Sequence, residues 1–123
     1  GLEASIDKTS KPTSLLKIQF TTDPAKYAMV IPIVYRQLDN IARKGPEPTS
    51  MQKVKEYLSK QYGQAAITND YWNYVLYNQL RYGIDYDRDY LKLVDGVTPA
   101  DVQQMAGRLL QSHRRIEVTM LSE

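Results

Sequence analysis

The feature that most constrains the fold is a change in the spacing of apolar residues along the chain. At both ends apolar and polar residues alternate, with the period of two that is typical of strands with one buried face. Between the ends apolar residues recur about every 3.6 positions, the spacing of amphipathic helices. Strands at both ends with helices between them predict an α+β fold.

Three segments have the strand period. The first two lie at residues 2–7 and 16–20, on either side of a polar loop at residues 8–13, and we predict that they form an antiparallel hairpin. The third contains Ile116, Val118 and Met120, and it predicts a C-terminal strand. We expect four to five helices to pack on one face of the resulting sheet.

Capping residues and glycines indicate where the helices begin and end. In the third helix, the stripe expected to face the core is Trp72, Val75, Leu76 and Leu80. The expected limits are Asp23-Pro24 to Gly45-Pro46, Thr49 (in a capping box with Gln52) to Gly63, Asn69 to Gly83, Asp87 to Val94, and a last helix that opens at Thr98-Pro99.

Composition excludes several classes of protein. The 123 residues suffice for one modest core, so residues 1–123 are predicted to be a single domain. The net charge of +2 is small and dispersed, which argues against a nucleic-acid partner or an anionic membrane surface. Because the chain has no cysteine, disulfides and thiolate metal sites are excluded. No apolar run approaches the length of a membrane helix.

No complete catalytic or metal site is visible. A catalytic zinc needs about three protein ligands, and His113 is the only histidine, so its expected role is that of a cation at a helix end. Asp85, Asp87 and Asp89 resemble the start of a calcium loop, but the required Gly and Glu are absent. We therefore expect these acids to serve a turn and a helix start. We predict no catalytic, cofactor-binding or metal-binding residue in this chain.

The ten tyrosines and the basic residues also have simple interpretations. The tyrosines around Trp72 are not interleaved with basic residues, as a platform for single-stranded nucleic acid would require. Packing with the hydroxyls at the surface is the expected role. Arg114 and Arg115 are expected to be a solvated pair between the last helix and the C-terminal strand.

Six short stretches, taken in order, span nearly the whole chain. The stretches are Phe20-Thr21-Thr22-Asp23-Pro24, Ile41-Ala42-Arg43-Lys44-Gly45-Pro46, Val54-Lys55-Glu56-Tyr57-Leu58, Asn69-Asp70-Tyr71-Trp72, Val97-Thr98-Pro99-Ala100-Asp101-Val102 and Arg115-Ile116-Glu117-Val118. In this order they resemble the insulinase/pitrilysin-type zinc peptidases, the family of the mitochondrial processing peptidase.

The resemblance implies which part of such a peptidase this chain corresponds to. The family uses paired α+β domains, and its catalytic domain carries a His-x-x-Glu-His motif that binds zinc and supplies the general base. That motif is absent here, so the resemblance implies the C-terminal part of the non-catalytic domain. Zinc is then expected only in the parent protein's catalytic domain. No residue here matches the family's substrate-binding Arg and Tyr, so the substrate-binding residues stay unknown.

Three functions remain open at this point. The first is a segment that forms a wall of the substrate chamber and supports proteolysis by a separate catalytic domain. The second is a structural or assembly subunit of the same fold without peptidase activity, and the third is an independent helical protein-binding module. The expected partners are a catalytic domain or sister subunit and, in the full protein, a peptide substrate. A partial domain exposes a sheet edge or an apolar face, so we also expect self-association by strand pairing or exchange.

Overall fold

The structure is a computed structural model that describes residues 2–7 and 15–120, and it is mostly helical. The contacts divide the chain into two units. One contains the N-terminal strands, the first helix and the chain from residue 103 onward, and the other contains residues 45–102. The elements are β1 (Leu2–Asp7), β2 (Leu15–Phe20), α1 (Tyr27–Lys44), α2 (Pro48–Ala65), α3 (Asn69–Tyr82), α4 (Tyr90–Gly96) and α5 (Pro99–Gln111).

The predicted N-terminal hairpin is confirmed. β1 and β2 are antiparallel, with Leu2 opposite Phe20 and Ile6 opposite Leu16. In β2 the predicted apolar face is half-buried while Lys17 and Gln19 are exposed, so the period of two does separate a packed face from a solvated one. The predicted loop at residues 8–13 lies outside the described residues.

The first helix ends where predicted and begins slightly later. The Asp23 carboxylate accepts a hydrogen bond from the Ala25 backbone N–H at 2.8 Å, but the intervening turn delays the regular helix to Tyr27. The helix continues through Pro32 and ends at Lys44. Gly45 follows with a φ of 77°, a left-handed conformation that glycine adopts without steric cost.

Two predicted limits of α2 are wrong. The helix begins at Pro48, its cap position is Glu47, and Glu47 makes no side-chain capping bond, so the Thr49–Gln52 capping box does not form. Proline at the first position has no N–H, so the first turn has one unpaired donor fewer. Gly63 does not stop the helix, which continues to Ala65.

The remaining helix ends follow local capping chemistry. Thr68, rather than Asn69, caps α3 by accepting a hydrogen bond from the Tyr71 backbone N–H at 3.3 Å, and Gly83 ends this helix as predicted. Residues 87–89 form a turn, so α4 begins at Tyr90 rather than Asp87. At α5 the predicted start is confirmed, because Thr98 and Asp101 exchange hydrogen bonds across the first turn.

The core within the described residues is small, and α3 presents a different face to it than predicted. Val75 and Asn78 are buried and Tyr71 is half-buried, whereas Trp72, Leu76 and Leu80 are exposed. Only Val75 of the predicted stripe is therefore in the core. Asn78 tolerates burial because its amide donates to the Tyr74 carbonyl oxygen at 2.7 Å.

The predicted C-terminal strand is also wrong. Residues 113–120, which we call the C-terminal segment, form no strand, and the sheet of the described residues contains β1 and β2 alone. The alternating pattern specified which side chains share a face, but a strand also needs a pairing partner, and no strand of residues 2–7 and 15–120 pairs with this segment.

Candidate functional site

In the second unit, the Asp87 carboxylate joins side chains from two different helices. Its Oδ1 atom accepts hydrogen bonds from the Tyr62 hydroxyl at 2.9 Å and the Tyr71 hydroxyl at 2.8 Å. The Tyr62 ring stacks on Tyr90 with 5.1 Å between centroids, and it meets Tyr71 edge-on at 5.9 Å. In this Asp87 cluster the carboxylate connects α2 to α3, and the Tyr62–Tyr90 ring contact adds α4.

The Asp87 cluster keeps its phenols protonated. Burial, followed by the hydrogen bond to Asp87, raises the pKa of Tyr71 above its ordinary value. The hydrogen bond to Asp87 is the main cause of the raised pKa of Tyr62. A phenol with a raised pKa stays protonated at neutral pH, so both hydroxyls act as hydrogen-bond donors to Asp87.

The three alternating acids have separate tasks. Asp85 accepts hydrogen bonds from the backbone N–H groups of Asp87 and Arg88, both at 3.0 Å, which is the turn role that we predicted. These bonds lower the pKa of Asp85, with the Arg88 backbone N–H as the largest cause. Asp89 occupies the cap position of α4 in a left-handed conformation but makes no side-chain cap bond. The role of Asp87 as a double acceptor was not foreseen, because its partners lie 16 and 25 residues away.

His113 follows the end of α5. Its φ is 50°, an unusual value for a residue other than glycine, and its backbone N–H lies 3.4 Å from the Leu110 carbonyl oxygen. In residues 2–7 and 15–120, no three His, Asp or Glu side chains are grouped so that they could hold a metal ion.

The C-terminal segment is attached to α1 by its polar side chains. The Tyr35 hydroxyl donates to Glu117 Oε1 at 2.7 Å, and the Arg115 guanidinium lies 5.0 Å from the centre of the Tyr35 ring. The hydrogen bond to Glu117 is the main cause of a raised pKa of Tyr35. Arg115 is therefore not simply one of a solvated pair, since its side chain lies against an aromatic ring.

The apolar side chains of the C-terminal segment face the other way. Ile116, Val118 and Met120 are 92%, 79% and 93% exposed. This reverses the usual arrangement, in which the apolar face of an alternating segment contacts the protein. The segment thus presents an apolar face to solvent while its polar face lies on α1.

A second exposed apolar surface lies on α3. Trp72, Leu76 and Leu80 are four residues apart, so they lie along one side of the helix, and we call them the α3 stripe. Leu80 is 88% exposed. The Trp72 indole N–H donates to the Ala66 carbonyl oxygen at 2.9 Å, which fixes one end of the stripe against the turn that precedes α3.

The second unit also has a shallow open depression of about 380 Å³. The Asp101 carboxylate at its margin is engaged by Thr98, whose hydroxyl and backbone N–H donate at 2.7 and 2.8 Å and lower the pKa of Asp101. Its lining residues are Asp89, Lys92, Leu93, Gly96, Val97 and Asp101. Because all six lining residues are exposed, the depression does not isolate a reacting group from water.

No family model, curated protein or solved structure matches this chain at a significant level. Among the helices of the described residues, none combines the length and apolar character needed to cross a membrane. The candidate functional features are therefore two apolar surfaces, the α3 stripe and the outer face of the C-terminal segment.

Proposed function

We propose that this chain is a segment of the non-catalytic domain of a zinc metallopeptidase of the insulinase/pitrilysin type. In this proposal it forms a wall of the substrate chamber, and a separate catalytic domain cleaves the peptide. The order of the six short stretches supports the assignment. Two of them also coincide with helix boundaries, since Gly45-Pro46 follows α1 and Thr98-Pro99 opens α5.

The observation that carries the proposal is the exposure of the α3 stripe. Covering a Leu side chain contributes roughly 1.5–3 kcal/mol relative to leaving it in water. Trp72, Leu76 and Leu80 together form an apolar surface along about two turns of one helix. Such surfaces mark sites of interaction with another protein surface, and a neighbouring domain of the same parent would supply it.

The mechanism assigned to this chain is mechanical. A domain packed against the α3 stripe would be held at a fixed place relative to the chamber, which excludes water and limits the positions open to an extended peptide. When bound in the catalytic domain, zinc would activate water for hydrolysis. The residues of this chain would contribute position and enclosure only.

The test uses the full-length parent protein. Leu76→Asp with Leu80→Asp places two charges in the stripe, and Gln79→Glu adds a charge to an exposed position between them. We expect the double variant to lose at least about tenfold in peptide hydrolysis and Gln79→Glu to retain activity. Each buried unpaired carboxylate would cost several kcal/mol.

Two outcomes would contradict the proposal or redirect it. Full hydrolysis by a folded double variant would overturn the role of the stripe in proteolysis. A parent that has no peptidase activity, yet loses a stably bound sister subunit when the stripe is charged, would favour the assembly subunit instead. Circular dichroism of each variant distinguishes these results from unfolding.

A further inference from the structure

We propose that Trp72, Tyr71 and Asp87 form a redox relay, which moves a one-electron oxidation from the exposed indole to a phenol whose proton Asp87 accepts. All three residues belong to the second unit. The Trp72 and Tyr71 rings meet edge-on with 5.5 Å between centroids, and the Tyr71 hydroxyl donates to Asp87 Oδ1 at 2.8 Å. The relay depends on this geometry alone, so it is independent of the proposed role in proteolysis.

Trp72 is the point at which an oxidant reaches the relay. It is the only tryptophan of the chain and is 43% exposed. In a chain without cysteine, indole and phenol are the side chains that give up a single electron most readily. The indole N–H donates to the Ala66 carbonyl oxygen at 2.9 Å, and a backbone carbonyl is too weak a base to take the proton. The oxidised indole therefore keeps its N–H within this hydrogen bond.

Tyr71 can replace the lost electron because its proton has an acceptor. Loss of an electron makes a phenol hydroxyl strongly acidic, so the oxidation is easiest where a base lies within hydrogen-bond distance. The 2.8 Å between the Tyr71 hydroxyl and Asp87 is a distance at which a side chain accepts a proton. Burial and this hydrogen bond raise the pKa of Tyr71, so the proton stays on the phenol until the electron leaves.

The transfer is balanced within the three residues. A radical oxidant first takes one electron from Trp72 and leaves an indole radical cation. One electron then passes from the Tyr71 ring to the indole, the Tyr71 O–H bond breaks, and its proton forms a new O–H bond on Asp87. The products are a neutral indole, a neutral phenoxyl radical and a neutral carboxylic acid. A partly buried site favours this loss of two opposite charges, because charged groups are costly away from water.

The surroundings of Tyr71 suit a radical that persists until it is reduced. Tyr71 is half-buried, and the Tyr62 ring meets it edge-on at 5.9 Å, which limits its collision with a second radical. A reductant of the ascorbate class returns one electron to Tyr71, and Asp87 returns the proton. The relay therefore protects Trp72, whose ring would otherwise take up oxygen and become polar at one end of the α3 stripe.

The test is pulse radiolysis of the 123-residue chain in azide solution. The azide radical takes an electron from indole in preference to phenol at neutral pH, and the indole and phenoxyl radicals have distinct absorption spectra. We expect the indole radical to convert to a phenoxyl radical in a first-order process whose rate does not depend on protein concentration. An indole radical that persists, or a rate that rises with protein concentration, would overturn the relay.

Two variants test the phenol and the proton acceptor separately. Tyr71→Phe removes the electron donor, whereas Asp87→Asn keeps an acceptor oxygen for the tyrosine hydroxyls but is not a base. We expect each variant to slow the conversion at least about tenfold, since a positioned proton acceptor contributes this much or more. Tyr77→Phe is the matched control, because this exposed tyrosine of α3 has its ring contact with Tyr82 and should leave the rate unchanged.

Equal rates in Asp87→Asn and the unaltered chain would overturn the role of the carboxylate, and an equal loss in Tyr77→Phe and Tyr71→Phe would overturn the path. Protection is measured separately, by continuous generation of azide radicals with ascorbate in solution. We expect mass spectrometry to find a larger fraction of oxygenated Trp72 in Tyr71→Phe than in Tyr77→Phe. Equal damage in the two variants would overturn the protective function.

Discussion

The protein joins tyrosines to a carboxylate in two places, and the two differ in depth and in the number of bonds. Asp87 accepts from two tyrosines in a part-buried cluster, and one of those rings stacks on a third tyrosine. Glu117 accepts one hydrogen bond, from Tyr35, at an exposed position, and the Arg115 Nε atom lies 3.8 Å from the same carboxylate. The first arrangement connects three helices, and the second holds the C-terminal segment on α1. Two hydrogen bonds to one part-buried acceptor stabilise the packing of helices. One exposed hydrogen bond only holds a segment against its neighbour.

The largest expected effect comes from removing the shared acceptor. Asp87→Ala leaves two hydroxyls without their partner, and a hydrogen bond to a charged group contributes about 1.5–3 kcal/mol. We expect the free energy of unfolding in urea to fall by about 1.5 kcal/mol, mainly through Tyr71. Asp95→Asn is the control, because that exposed side chain makes no comparable bond. Equal stability of the two variants would show that the cluster does not stabilise the unit.

The Tyr35 attachment should give a smaller effect. Tyr35→Phe removes one exposed hydrogen bond to Glu117, so we expect a loss of about 0.5–1 kcal/mol at most. The more sensitive measurement is the rate of amide hydrogen exchange around Tyr35 in α1. This rate should rise if the C-terminal segment no longer shields that part of the helix from solvent. Tyr27→Phe on the same helix is the control. A loss in Tyr35→Phe as large as in Asp87→Ala would remove the distinction between the two sites.

The Asp87 cluster should also make the free energy of unfolding depend on pH in the alkaline range, through Tyr71. The folded-state pKa of Tyr71 is raised, so the folded protein binds its proton more tightly than the unfolded chain does. Its contribution to stability is complete below about pH 10, the ordinary tyrosine value, and is lost as the pH rises through the folded pKa. We expect Tyr71→Phe to flatten the fall of unfolding free energy above pH 10. An unchanged pH dependence would contradict the assignment.

The smallest expected effect comes from Asp101, whose exposed carboxylate should change the acid sensitivity of unfolding only slightly. Hydrogen bonds from Thr98 lower the pKa of Asp101 in the folded protein. Its contribution is therefore present above the unfolded value of about 4 and is lost as the pH falls through the folded value. We expect Asp101→Asn to reduce the acid sensitivity of unfolding slightly, as measured by thermal melts between about pH 2 and pH 5. Increased sensitivity would show that the capping bonds are not formed.

Local chemistry made much of the fold predictable. The hairpin follows from alternation, the end of α1 from Gly45, the end of α3 from Gly83 and the start of α5 from Thr98 and Asp101. Each of these features depends on residues close together in the chain. Gly63 misled the prediction for α2, because a glycine inside an exposed helix costs only about 1 kcal/mol and the neighbouring turns can continue through it.

Nonlocal partners explain what could not be predicted. The buried face of α3 includes Tyr71 because Asp87, far along the chain, accepts its hydroxyl bond, and this turns Leu76 and Leu80 to solvent. The alternation of the C-terminal segment was recognised, but whether such a segment becomes a strand depends on what lies at its edge. Because such distant partners are invisible in local spacing, the sequence pattern alone predicts that the α3 stripe faces the core.

The left-handed conformation of His113 determines where the chain goes after α5. A residue other than glycine has to overcome about 1 kcal/mol or more to hold φ at 50°. Glycine at this point would keep the direction of exit and relieve that cost, while proline, whose φ is held near −65°, would send residues 114–120 elsewhere. One backbone torsion thus sets the direction of the C-terminal segment. Substitutions at position 113 can change that direction while leaving α5 and the side chains that contact Tyr35 unaltered.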